Sequence, residues 1–355
     1  MSLPPVKTIH FGRPVKPVRL FADTLSYRID LQTAGICLAL LLAGLAVGVL
    51  TLASGEFHVA PLDVLWALFG QAERRVHMVV VEWRLPRTAL ALILGAALGM
   101  SGAIFQSLTR NPLGSPDIIG FDAGSFTGAL VVITLVGGSY LVVAAGALTG
   151  GLLTALLVYL LAYRRGVQGF RLIIVGIGVS AMLTSLNTWM LLRAQLEVAM
   201  AAAIWGAGSL NGMTLERLFY SGAILAVLVP LALMMSRPMA QLELGDDAAR
   251  ALGVNAERNR LGLLVLGVAL TATVTATAGP IGFVSLAAPQ LARRLTGSAG
   301  VSMLPSAAMG ALLLAGADYV AQRAFAPTQL PVGIVTVSLG GIYFVWLLLR
   351  EARRS

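Results

Sequence analysis

Charge, lysine, histidine and cysteine are all scarce in this chain. Charged residues make up 12% of its 355 positions, about half the ~25% of a soluble domain. That shortfall excludes an ordinary soluble enzyme, and 57% hydrophobic residues exclude a disordered chain. Lys7 and Lys16 are the only lysines, so no G-x-x-x-x-G-K-[ST] phosphate loop exists and ATP cannot be hydrolysed by that machinery. The histidines are His10, His58 and His77, none of them inside an apolar run, which argues against a histidine-based membrane protease. Cys37 stands alone, so neither a disulfide nor a thiolate metal site can form within the chain.

What is abundant is apolar sequence. Mean hydropathy is +0.86. Eight stretches without Asp, Glu, Lys or Arg are long enough to span a bilayer: 31–55, 88–109, 123–163, 172–192, 218–236, 261–292, 295–317 and 324–349. A crossing needs ~20 apolar residues, so 123–163 and 261–292 are each too long for one. The first breaks at Gly137-Gly138-Ser139 and the second at Gly279-Pro280, where proline cannot continue the helix. Splitting both predicts an all-α polytopic membrane protein of about ten transmembrane helices, the eighth (281–296) short and opening on a broken turn. Ten crossings place 18 of the 25 basic residues on the side of the termini, which the positive-inside bias makes cytoplasmic. The net charge of +9 then reads as attraction to anionic lipid rather than to nucleic acid. Residues 1–30 read as a basic, flexible cytoplasmic tail and 31–355 as the membrane domain. The first apolar run exceeds the ~7–15 residues of a signal-peptide core and reads as a permanent anchor.

Several segments could carry function. Glu82-Trp83-Arg84-Leu85-Pro86-Arg87 would open the second helix, with Pro86 at its first position. Arg84 and Arg87 would then lie on the outer side at a helix N-terminus, where the dipole disfavours cations. Either they snorkel to lipid phosphate, or with Arg323 they form a cationic rim for an acidic partner or anionic substrate. Gly95, Gly99 and Gly102 share one face of that helix and predict close helix packing. Ser115 is expected to cap the third helix, with Pro116 at its first position and Asp117 in its first turn. Segment 193–216 reads as a short outer helix and turn, either a plug or a gate. The longest internal cytoplasmic loop, 237–259, contains Gly245, Asp246, Asp247, Ala248, Ala249, Leu252 and Gly253. Asp246 is expected to cap a short helix there and Gly253 to stop it. Its small and apolar faces exceed what a solvated loop needs and favour a docking element for a soluble partner. Asp122 and Asp318 are the only acidic candidates for a mid-membrane relay, and both lie near helix ends. Without a mid-membrane relay, transport would draw its energy from outside this chain.

Five segments in one order, RLPR (84–87), GAALGMSGAIFQSLTRNPLGSPDIIG (95–120), GDDAARALGV (245–254), AGPIGFVSLAAPQLARR (278–294) and LPVGIVTVSLGGIYFVWLLL (330–349), resemble the iron-siderophore and cobalamin permease family of ABC importers. The resemblance runs from about residue 35 to 350. It implies a type II ABC importer permease fold in the bacterial inner membrane, paired with a second homologous permease subunit. Two cytoplasmic ATPase subunits would dock on 245–254, and a periplasmic siderophore-binding protein would contact Arg84 and Arg87. A third family arginine aligns with Gln322, with Arg323 one residue later. The stretches EWRLPR, FRLIIVGIG (170–178), GSLNGMT (208–214) and SLGGIYF (338–344) look like the members that carry ferric catecholates such as ferric enterobactin, which pair two different permeases. No metal ligand set and no cofactor are expected on this chain, with ATP used by the partners. Haem, cobalamin or a ferric hydroxamate as cargo, a non-ABC secondary transporter, and a membrane enzyme are the alternatives. Asn187, Trp189, Gln195 and Asn211 are candidate polar positions along the path.

Overall fold

The structure, a computed structural model, describes residues 15–20, 25–55, 57–137, 139–163 and 169–352. Lys7, His10, Arg13, Gly138, Arg164, Arg165, Arg353 and Arg354, used above for the tail, a helix break or the orientation, lie outside the described residues. Strands β1 (Val15–Leu20) and β2 (Leu25–Asp30) pair antiparallel, Val15 opposite Asp30 and Leu20 opposite Leu25. The expected flexible tail is therefore a hairpin over this part of its length. Asp30 ends it and caps α1 (Leu31–Ala53), its carboxylate accepting from the Gln32 and Thr33 N–H groups.

After α2 (Pro61–Leu68) comes α3 (Arg74–His77), which runs without a break through a π-helical segment, Met78–Arg84, into α4 (Leu85–Thr109). The expected helix start at Pro86 is thus corrected. Pro86 lacks an N–H and crowds the preceding turn, and the wider π turn accommodates it. Arg84 and Arg87 lie within a long helix, not at its N-terminus. The chain continues through α5 (Phe121–Val131, prolonged by a π turn to Val136), α6 (Tyr140–Ala162), α7 (Gly169–Arg193), α8 (Leu196–Gly206) and α9 (Leu215–Met234). It ends with α10 (Ser236–Glu243), α11 (Asp246–Ala251), α12 (Ala256–Ala278), α13 (Val284–Thr296), α14 (Met303–Arg323) and α15 (Val332–Ala352).

Seven helices among the described residues are long and apolar enough to cross a bilayer: α1, the run Arg74–Thr109, α6, α7, α9, α12 and α14. Shorter apolar helices are Phe121–Val136, Leu196–Gly206 and Val332–Tyr343. At 13 residues α13 is ~20 Å long, short of the ~30 Å core. The break before it is real: α12 stops at Ala278, Gly279 takes φ 77° and Phe283 takes φ 70°.

Helix α4 is the centre of the molecule. It is buried on all sides, as an apolar helix without a polar face should be, and it packs on α14, α12, α13 and α9. Gly95 and Gly99 let α14 approach to backbone contact, since a Cβ on them would meet Gly310 O at 2.4 Å and Ser306 O at 2.0 Å. Gly102 serves a different partner: its Cβ would lie 1.8 Å from Ser285 O of α13. A second close pair, α5 with α6, uses Gly124 and Gly128 against Gly150 and Gly146. The four-residue spacing of both pairs was legible, but only the α4 glycines are singled out by the sequence reading above.

Neither Ser115 nor Asp117 serves the start of α5 as expected. Gly120, at φ 93°, precedes α5, and the Ser115 hydroxyl has no partner among the described residues. Asp117 reaches across to α13, accepting from the Phe283 N–H (3.1 Å) and the Ser285 hydroxyl (2.9 Å). It thereby supplies the cap that the broken turn leaves open. Asp122, in the first turn of α5, accepts from the Thr275 hydroxyl and pins α5 to α12.

Candidate functional site

Helix α4 is ~37 Å long, so Arg87 and Arg110 mark opposite ends of the bundle. Each end carries a charged cluster.

At the first end, Arg87 grips Asp318 of α14. Its Nε lies 3.1 Å from both carboxylate oxygens and its Nη2 lies 2.8 Å from Oδ1. The side chains are 12% and 1% exposed, respectively. Asp318 also accepts from Gln322 Nε2 (2.8 Å), and Arg87 Nη1 donates to Gln329 Oε1 (2.6 Å). Arg84 donates to Leu52 O, a carbonyl at the negative end of α1, and to Phe57 O in the loop that follows, each at 2.7 Å. Neither arginine is a bare rim cation. Arg323, one helical step past the half-buried Gln322, is exposed. Arg84, Arg87, Thr88, Gln322 and Gln329, with apolar residues such as Phe57 and Trp83, line a cavity of about 400 Å³ of mixed polarity. The Thr88 hydroxyl is buried there without a partner among the described residues.

Gln329 also lines a larger, mainly apolar cavity of about 720 Å³, formed where α5, α6, α8, α9 and α12 end. Its polar groups include Tyr140, Asn211, Arg217 and Thr277. Trp205 forms one wall and stacks on Phe126, with centroids 5.9 Å apart and planes at 11°. Of the four polar positions offered from sequence, only Asn211 lines this cavity. Asn187 is buried, its Nδ2 3.4 Å from Ala123 O of α5. Trp189 and Gln195 are exposed. Arg217 and Tyr140 were passed over because each lies beside a predicted helix start, where interfacial residues are ordinary.

At the other end stand α10 and α11. Asp246 was expected to cap α11. Instead Gly245 precedes the helix at φ 111° without a side-chain cap, and Asp246 is its first residue. The Asp246 carboxylate accepts from Arg260 Nη2 (2.6 Å) and Arg110 Nη2 (2.9 Å), and the latter atom also donates to Leu242 O (2.8 Å). The short helix is thereby tied to the end of α4 and the start of α12. Ala249 is buried beneath it, while Asp247, Ala248 and Leu252 are exposed. Gly253 takes φ 82° and closes the helix.

The Arg260 hydrogen bond, more than the field of Arg260 and the contact with Arg110, holds the Asp246 carboxyl below its usual range against the opposing effect of burial. A depressed carboxylate pKa stabilises the fold above the unfolded value, about 4, and that contribution is lost as pH falls through the folded value. The melting-temperature gap between the wild-type chain and Asp246→Asn is therefore expected to shrink on acidification below about pH 4. A gap that stays constant down to pH 3 would show that the ionised carboxylate is not what ties α11 down.

Among the described residues no group of three or more His, Cys, Asp or Glu side chains is placed to hold a metal ion. The profile of the FecCD transport family matches residues 40–350. The ferric enterobactin transport system permease protein FepG of Escherichia coli (strain K12) is 52% identical over 319 residues, spanning 90% of this chain and 97% of that protein. The iron(3+)-hydroxamate import system permease protein FhuG of Bacillus subtilis (strain 168) is 37% identical over 305 residues, spanning 83% and 91%. The fold is similar to that of a metal-chelate type ABC transporter solved in an inward-facing conformation, with TM-score 0.79, 28% identity, and coverage of 89% of this chain and 99% of that one.

Proposed function

Because this chain belongs to the FecCD transport family, we propose that it is the permease subunit of an ABC importer that carries a ferric catecholate, ferric enterobactin, into the cytoplasm. The observation that carries this reading is 52% identity over 97% of the length of a ferric enterobactin permease protein. In this reading α5, α13 and α15 complete a set of ten membrane segments with the seven long ones. The cluster at Arg110 and α11 faces the cytoplasm along with both termini, and the Arg87 end faces the periplasm. The chain pairs with a second, different permease subunit and holds no cofactor of its own.

Each end then has a task. One of two ATPase subunits docks on the exposed face of α11 and the residue after it, through Asp247, Ala248 and Leu252, and the other docks on the second permease subunit. Their closure on ATP pushes on a helix that the Asp246 clamp ties to α4 and α12, so the motion enters the bundle at its central helix. At the other end a periplasmic binding protein docks. Arg323 makes the first, solvent-exposed contact, and an acidic side chain enters the 400 Å³ cavity toward Arg84, Arg87 and the spare Thr88 hydroxyl. Both arginines keep N–H groups beyond those used inside the chain, because a guanidinium has five.

The test is uptake of radio-iron by cells lacking only this chain, offered a ferric catecholate and a ferric hydroxamate, with labelled cobalamin offered separately. Loss of catecholate uptake alone is the expected result. Loss of another cargo instead would keep the family and overturn the cargo, and unchanged uptake of all three would overturn the reading.

A further inference from the structure

Arg217 is held in a place that costs free energy. It sits in the first turn of α9, where the helix dipole disfavours a cation. It is only partly exposed, and no carboxylate pairs with it among the described residues. What it touches is soft: its guanidinium lies 4.2 Å over the Tyr140 ring, and its Nη1 is 3.9 Å from Met213 Sδ. A partly desolvated cation without a counter-ion is a cost unless an anion completes it. The space it borders is the 720 Å³ cavity, within the roughly 300–1,000 Å³ span of small-molecule sites.

We propose that this cavity is a receiving site for an aromatic anion, with Arg217 and Tyr140 as the recognition pair. The inference rests on the cargo reading above, in which the ligand is a ferric catecholate. A catecholate arm is flat and aromatic and carries negative charge on its oxygens. The Arg217 N–H groups turned from the Tyr140 ring meet the oxygens. Trp205, fixed by its stack on Phe126, offers a rigid face to the arm. Asn211 and Gln329 supply polar edges. The Gln329 oxygen is held by Arg87, leaving its amide N–H groups for the ligand. The same glutamine forms part of the wall of the docking cavity, so the cargo site and the proposed docking site share a side chain. An aliphatic tris-hydroxamate complex offers no rings, and its three monoanionic groups on Fe(III) leave no net negative charge for this pair.

The experiment uses the assembled transporter in nanodiscs, with ferric enterobactin and an aliphatic ferric hydroxamate as probes. Quenching of tryptophan fluorescence by the coloured ferric complex reads binding, and Trp205→Phe reads its location. Ferric enterobactin is expected to quench the wild-type transporter and to lose most of that quench in Trp205→Phe. Arg217→Gln is expected to bind it about ten- to a hundredfold more weakly, the usual loss of a charge-assisted contact, and Arg217→Lys to recover part. Size-exclusion chromatography of each variant complex reports assembly independently of the cavity. Equal affinity in wild type and Arg217→Gln, or a quench unaffected by Trp205→Phe, would overturn the site. Arg217-dependent quenching by the hydroxamate in place of the catecholate would keep the cavity as a binding site and overturn both the selectivity claimed for it and the cargo on which it rests.

Discussion

Arg87→Leu is expected to destabilise the folded permease by about 3–5 kcal/mol, the usual cost of stripping one partner from a buried ion pair. The reason is Asp318. It is 1% exposed and held by three contacts of 2.8–3.1 Å from one guanidinium. With Arg87 gone, Gln322 alone remains to a buried carboxylate. The loss should therefore be largely reversed in Arg87→Leu/Asp318→Leu, since replacing both charges by apolar groups is often neutral. Thermal melting of the two single variants and the double variant gives the coupling directly. Independent, additive losses would show that the pair is not a unit. The double variant also separates two roles of Arg87. Restored stability with no uptake would assign Arg87 to partner docking as well. Restored stability with normal uptake would leave it a strut between α4 and α14 and remove it from the docking surface.

The second large effect is expected at Gly102. Leucine there would place its Cβ 1.8 Å from a backbone oxygen of α13, and a carbonyl inside a packed helix cannot rotate aside as a side chain can. Overpacking a core costs about 1–3 kcal/mol, and more where neighbours cannot move. Gly102→Leu meets the second condition, so no assembled permease is expected in the membrane fraction. Gly222→Leu is the control: nothing lies within 4 Å of a Cβ at that position on α9, and near wild-type yield is expected. Equal yields of the two variants would mean that α4 and α13 do not pack as closely as the structure places them. Gly99→Leu should resemble Gly102→Leu but act on α14, where the clash is with Ser306 O at 2.0 Å.

Much of the site was visible before the fold was. RLPR, the α11 segment and the α4 glycines were all singled out from residue type and spacing. Their roles were read less well, and the errors share a cause. Asp117 and Asp246 were each assigned to the nearest helix start, because a sequence shows only neighbours. In the structure Asp117 caps a helix 166 residues away, and Asp246 is taken by Arg110, 136 residues away. Pro86 read as a helix start for the same reason, since nothing local reveals that a π turn upstream makes room for it. Arg217 carried no visible signal, because its meaning lies in the carboxylate that does not pair with it.

The sequence by itself determined the class: long uncharged apolar runs are favourable only as helices in lipid, and that cost is set residue by residue along the chain. It determined where those runs break, and through its motifs the family. Only the tertiary structure decided which charges meet. Arg87 and Asp318 are 231 residues apart, and what brings them together is the backbone contact between α4 and α14 that Gly95, Gly99 and Gly310 permit. A burial preference is a property of one segment, whereas an ion pair or a cavity is a property of the packing of several, which no single stretch of residues encodes.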